Sequence, residues 1–128
     1  MAGMAEGRIL IADDEDGLRW VLEKGFRGAG YQVTAVKDGT AALREAEAQP
    51  FDLILLDIRM PGIDGLTLLG QVREKRPDAQ VVIMTAHGTV ETAIQAMQHG
   101  AYDYLAKPFD LDEALLLAER ALTARRLS

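Results

Sequence analysis

Short apolar runs alternate with amphipathic stretches five times along this chain, with no repeat and no low-complexity segment between them. The apolar, β-branched runs bounded by turn formers read as strands: Arg8 to Ala12, Tyr31 to Ala35, Asp52 to Asp57, Gln80 to Met84 and Tyr102 to Leu105. Apolar residues spaced three and four apart predict helices near Asp16 to Arg27, Thr40 to Ala48, Gly65 to Arg76, Thr89 to Gln98 and Leu111 to Arg125. Gly28 with Gly30, Pro50 and Pro77 supply stop signals after the first three helices. Strict alternation of strand and helix implies an α/β, doubly wound, five-stranded parallel sheet, covered on both faces by right-handed crossovers. The first, third and fourth strands are apolar on both faces, as central strands are, whereas Tyr31-Gln32-Val33-Thr34 alternates like an edge.

The helices differ in how they are expected to be held. The last one carries a stripe of Leu111, Leu115, Ala118 and Leu122, widened by Leu116 and Leu117, that suits packing on the sheet. The fourth has only Val90, Ile94 and Met97 as large apolar anchors and lies between Gly88 and Gly100, so low local stability is expected there.

At 128 residues the chain is one domain able to bury roughly two-thirds of its unfolded surface. We expect a flexible leader over residues 1–7, the domain over 8–124, and the start of a linker or tail over 125–128. With 48% hydrophobic and 27% charged residues and no apolar stretch near the ~20 residues of a membrane span, a soluble cytoplasmic protein without membrane contact is expected. The absence of cysteine excludes disulfides and thiolate metal sites and fits a reducing compartment. A formal charge of −6 argues against direct nucleic-acid binding, which relies on basic residues.

The candidate chemistry lies at the strand ends, where doubly wound sheets bind ligands. The first strand runs into Asp13 and Asp14, and the third ends on Asp57 before the breaker segment Met60-Pro61-Gly62-Ile63-Asp64-Gly65. Three neighbouring carboxylates repel unless a cation joins them, and Mg²⁺, a hard ion that binds carboxylates together with phosphate oxygens, suits them. The fourth strand runs into Thr85 and the fifth into Lys107-Pro108, adding a hydroxyl donor and an ammonium. An aspartate attacking phosphorus needs its charge offset, and the transferred group's oxygens need such donors. A trans bond is the default for Lys107-Pro108, although a cis bond would aim the lysine. Asp14, Asp16 and Asp64 also read as helix caps, and for Asp64 that reading prevails.

With these residues in this order, the chain resembles the response-regulator receiver domains of two-component signalling from Arg8 to about Leu122. The resemblance rests on Asp13-Asp14, Asp57 with Met60-Pro61-Gly62 and Asp64-Gly65, Thr85-Ala86, and Lys107-Pro108-Phe109. Arg19-Trp20-Val21-Leu22, Met84-Thr85-Ala86-His87 and Tyr102-Asp103-Tyr104-Leu105 are most similar to the NtrC subfamily of sigma-54 regulators. The resemblance implies a flavodoxin-like or CheY-like fold with strand order 2-1-3-4-5. It implies that Asp57 accepts a phosphoryl group from a sensor histidine kinase, and that Asp13, Asp14, Asp57 and the Arg59 backbone carbonyl hold Mg²⁺. Thr85 and Lys107 would bind the phosphoryl oxygens, while Thr85 and Tyr104 would act as the switch. Arg59 and His87 would screen the acyl phosphate from water. Ile63 stands where many members carry Met, a change expected to be harmless. An output ATPase and DNA-binding module is implied as the partner in a longer chain, and a homodimer through the last two helices stands beside simple core burial.

Two other classes compete. A haloacid-dehalogenase-type phosphatase also uses an aspartate nucleophile with Mg²⁺, but needs an acid two residues later, where this chain has Arg59. A receiver that docks without phosphorylation is the other alternative. A nucleotide-binding module is disfavoured, since neither a Walker lysine loop nor a Gly-x-Gly-x-x-Gly fingerprint occurs.

Overall fold

The computed structural model describes residues 6–86 and 90–127. Its elements alternate: β1 (Arg8–Ala12), α1 (Asp16–Gly28), β2 (Gln32–Val36), α2 (Gly39–Ala48), β3 (Leu53–Asp57), α3 (Gly65–Lys75), β4 (Gln80–Thr85), α4 (Val90–Gln98), β5 (Asp103–Ala106) and α5 (Leu111–Leu127). The strands form one sheet in the order β2-β1-β3-β4-β5, every pair parallel. The winding therefore reverses between β1 and β3, which opens the crevice at their carboxyl ends.

Strand alternation divides the core in two. Leu10, Ile54, Leu56, Val81 and Ile83 face Leu68, Leu69 and Val72 of α3 and Ala42 of α2. Ile9, Ile11, Leu53, Leu55, Val82 and Met84 face Leu22 and Phe26 of α1 and Ala114, Ala118 and Leu122 of α5. Each fully buried large side chain contributes about 1.5–3 kcal/mol, and β1, β3 and β4 supply most of them. The central strands thus hold the site rigidly from below.

Four differences from the sequence expectations matter. β2 lies one residue later than Tyr31 to Ala35, because Tyr31 turns inward against the Phe26 ring, with centroids 5.8 Å apart. In α4 the large side chains do not anchor the helix: Val90, Ile94 and Met97 are 65%, 52% and 42% exposed, and Ala93 and Ala96 are the buried ones. Leu116 likewise points outward from α5, while Leu117 is buried. Helix α5 continues through Leu127, and Arg125 ties it to the sheet's opposite end. Its guanidinium reaches Asp52 Oδ1 at 2.8 Å and Asp78 Oδ2 at 3.3 Å, and donates to the Asp78 carbonyl at 2.7 Å. Asp52 Oδ2 in turn accepts the Arg8 backbone N–H at 2.8 Å.

Candidate functional site

Asp57 ends β3, whose residues Leu53 to Leu56 are buried in the core, and its carboxylate is buried at the carboxyl end of the strand. The Arg59 N–H donates to its Oδ1 at 3.0 Å, so the chain turns back over the acid directly after the strand. This return is tight: at Gly65 an added Cβ would lie 2.2 Å from the Ile58 carbonyl oxygen, and only glycine fits. Asp64, just before it, accepts the Thr67 N–H at 3.1 Å and caps α3, as its position predicts.

Asp13 follows β1 and is fully buried. Its Oδ1 accepts the Glu15 N–H at 2.8 Å, and its own N–H donates to the Val36 carbonyl at 3.1 Å. Neither Asp14 nor Asp16 caps α1 with its side chain; Glu15 occupies the cap position and makes no side-chain cap bond. Asp14 is exposed, yet its carboxylate can place an oxygen within 4.8 Å of oxygens from Asp13 and Asp57.

Lys107 extends from the end of β5 and spans the two buried acids. Its Nζ lies 2.9 Å from Asp13 Oδ2 and 3.1 Å from Asp57 Oδ2. The Lys107 backbone N–H donates to the Thr85 carbonyl at 2.7 Å, which joins the ends of β4 and β5 at the site. The Lys107-Pro108 bond is cis, where trans was the default expectation. Thr85, the last residue of β4, is buried beside Asp57, whose strand neighbour is Met84. Tyr104 registers against Ile83 and is 42% exposed, outside the pocket. His87, with Gly88 and Thr89, lies outside the described residues.

The electrostatics are those of a pocket short of positive charge. Burial pushes the Asp57 carboxyl above its usual range; the Arg59 N–H opposes that, the Asp13 charge adds to it, and Lys107 opposes it again. Burial alone would lower the Lys107 ammonium, but the close carboxylates of Asp13 and then Asp57 outweigh it and hold the pKa above that of ordinary lysine. Asp13 Oδ2 remains an enclosed oxygen with no well-aligned donor among the described residues; the ammonium is an ionic neighbour. A buried carboxylate oxygen that must share its ammonium neighbour with a second acid, within a cluster of oxygen donors only, fits a hard divalent cation.

Sequence reasoning thus located Asp13, Asp14, Asp57, Thr85 and Lys107 at one crevice. It missed Arg19, whose guanidinium donates to the Asp13 carbonyl at 2.8 Å and to Asp16 Oδ1 at 2.6 Å. The three-residue spacing of Asp16 and Arg19 on a predicted helix was the available signal.

A parallel sheet in 2-1-3-4-5 order with an acid cluster at its switch point defines the CheY-like class of doubly wound proteins. The chain belongs to the response regulator receiver domain family, which it matches over residues 9–119. The DNA-binding transcriptional regulator NtrC of Escherichia coli (strain K12) is 46% identical over 120 residues, which is 94% of this chain and 26% of that protein. A crystal structure of NtrX from Brucella abortus in complex with ADP superposes with a TM-score of 0.91 at 35% identity, covering 96% of this chain and 28% of that one. A CheY-like receiver domain from Methanospirillum hungatei JF-1 gives a TM-score of 0.90 at 25% identity, over 95% of this chain and 98% of that one. This is therefore a receiver domain of the NtrC type, spanning about a quarter of the length of the curated relatives it matches. No helix among the described residues is long and apolar enough to cross a membrane.

Proposed function

We propose that Asp57 accepts a phosphoryl group from the phosphohistidine of a sensor kinase, and that the domain then switches an output module, one that acts in transcription. One observation carries the reading: two buried carboxylates, Asp13 and Asp57, share the single Lys107 ammonium. A scaffold gains nothing from buried charge left so poorly compensated. An Asp57 oxygen forms the new bond to phosphorus as the phosphorus–nitrogen bond breaks, and the leaving imidazole keeps that electron pair. Lys107 then exchanges carboxylate neighbours for a phosphoryl oxygen, and the Thr85 hydroxyl donates to another.

Asp13, Asp14, Asp57 and the Arg59 carbonyl would hold Mg²⁺, which supplies charge neutralisation for the acids and the phosphoryl oxygens when bound. The added phosphoryl brings about −1.5 to −2 charges, drawing Thr85 toward it and leaving room that Tyr104 enters. The alanine-only anchoring of α4 supports a helix that yields to that motion. Arg59, exposed beside Asp57, screens the acyl phosphate from water. The domain assists its own phosphorylation and dephosphorylation without being a turnover enzyme. We place the receiver unit at residues 8–124, with Gly7 and Arg125 bonded to it at its margins. Its kinship with a DNA-binding transcriptional regulator supports a cytoplasmic setting and a DNA-binding output carrying an ATPase, and association through α4, β5 and α5 is part of the same reading.

The test is reaction with acetyl phosphate, read by intact mass with and without Mg²⁺. One stable phosphate, dependent on Mg²⁺ and abolished by Asp57→Asn, is the expected result. Turnover without an adduct would favour the hydrolase, and no reaction would favour a docking receiver.

A further inference from the structure

We propose that Arg19 is a positioning residue for the cation pocket: it sets the Asp13–Asp14 peptide and, through it, the aim of the Asp14 carboxylate. The inference rests on the reading of this pocket as a Mg²⁺ site. Arg19 lies one turn into α1, mostly buried, with its side chain 20% exposed. One arm of its fork donates to the Asp13 carbonyl at 2.8 Å, and the other to Asp16 Oδ1 at 2.6 Å.

The Arg19–Asp16 pair has no other evident purpose. Asp16 is 88% exposed, and an exposed pair at three-residue spacing on a helix adds about 0.5 kcal/mol or less. The contact with the Asp13 carbonyl is different, because it acts on a planar unit. A peptide plane turns as one body, so fixing the Asp13 oxygen also fixes the N–H and the Cα of Asp14. Asp13 does not depend on this for its own side chain, since Oδ1 is already held by the Glu15 N–H. Asp14 does: it is exposed, and among the described residues no hydrogen bond or ion pair holds its carboxylate. Of the three acids, the freest one is the one whose N–H and Cα share the peptide plane that Arg19 grips. A planar fork suits this task better than an ammonium, because it spans the carbonyl and the helix's first carboxylate at once.

The sign of the effect separates positioning from charge. Arg19 is a cation beside an acidic pocket, so removing it for charge reasons alone would tighten Mg²⁺ binding. Removing it as a positioner weakens binding. The experiment is a calorimetric Mg²⁺ titration of the unphosphorylated chain and of Arg19→Gln, Arg19→Lys and Asp16→Asn, with urea unfolding of each in parallel. Arg19→Gln should weaken Mg²⁺ by about tenfold, the lower end for loss of a ligand-orienting partner. Arg19→Lys should fall between it and the unaltered chain, and Asp16→Asn should lose about two- to threefold. The rate of labelling by acetyl phosphate should return close to that of the unaltered chain once Mg²⁺ is raised to saturate Arg19→Gln, a split that general loss of structure would not produce. Unchanged or tighter Mg²⁺ binding in Arg19→Gln overturns the inference. If Arg19→Gln does not fold, unchanged affinity in Asp16→Asn overturns it. Absence of Mg²⁺ affinity in the unaltered chain would instead sink the reading of the pocket itself.

Discussion

Two ionic clusters sit at opposite ends of the same sheet, and they are built on opposite principles. At the amino ends of the strands, Arg125 offers its fork to Asp52 and Asp78, and Asp52 also takes the Arg8 N–H, so each acid is matched by a donor. At the carboxyl ends, Asp13 and Asp57 share one ammonium while Asp14 waits beside them, and one Asp13 oxygen lacks an aligned donor. The first arrangement lets the α5 end grip the sheet. The second leaves a deficit of positive charge that a bound cation and a phosphoryl group can relieve, so stability and reactivity are segregated along the strand axis.

Removing Lys107 should widen the contrast most. Lys107→Met leaves both buried carboxylates without their counter-charge and should cost about 2–3 kcal/mol, below the full penalty for breaking a buried pair because the lysine side chain is itself partly exposed. Urea unfolding without Mg²⁺ reads this, and millimolar Mg²⁺ should restore much of it. A loss that Mg²⁺ leaves untouched would show that the lysine acts on packing alone.

Asp57→Asn should move the same end in the other direction, raising stability by about 1–2 kcal/mol at neutral pH without Mg²⁺. The sign follows from the raised Asp57 pKa, owed first to burial. A carboxyl whose folded pKa lies above its unfolded value favours folding only while protonated, so the native state gives up stability as pH rises from the ordinary value through the raised one. The gain from Asn should therefore grow as pH rises above the ordinary carboxylate range and shrink toward pH 4. Thermal melts across that range test it, and a gain independent of pH would refute the charge argument.

Arg125→Ala should show the smallest change, a loss of about 1 kcal/mol from a partly exposed network. Its Mg²⁺ affinity should match that of the unaltered chain. Altered affinity would mean that the two ends communicate through the strands.

The strand ends were legible because a central parallel strand, buried on both faces, writes itself as an unbroken apolar string, and the first polar residue after it marks the crevice. Asp13, Asp57 and Thr85 were found that way, Lys107 by its place with Pro108 after the fifth strand, and Asp64 as a cap from the glycine and apolar run behind it. Helix α4 was misread in its rotation. Val90, Ile94 and Met97 trace one stripe and Ala93 with Ala96 another, and periodicity reports that stripes exist without saying which faces the sheet. Preference for the larger residues chose the outward one. Arg19 stood in a motif of the resemblance, but its place at the site was not legible for a different reason: its partner is a main-chain carbonyl in a loop, and no pattern of side chains encodes where a loop peptide points.

The backbone reversal after β3 carries one more consequence, for the tolerance of this chain to change. Gly65 opens a helix eight residues after Asp57, and in a library of variants it would pass for a helix-start position free to vary. Any side chain there must displace Ile58, the residue adjoining the phosphoacceptor candidate, so the defect would surface as lost reactivity in a protein that still folds.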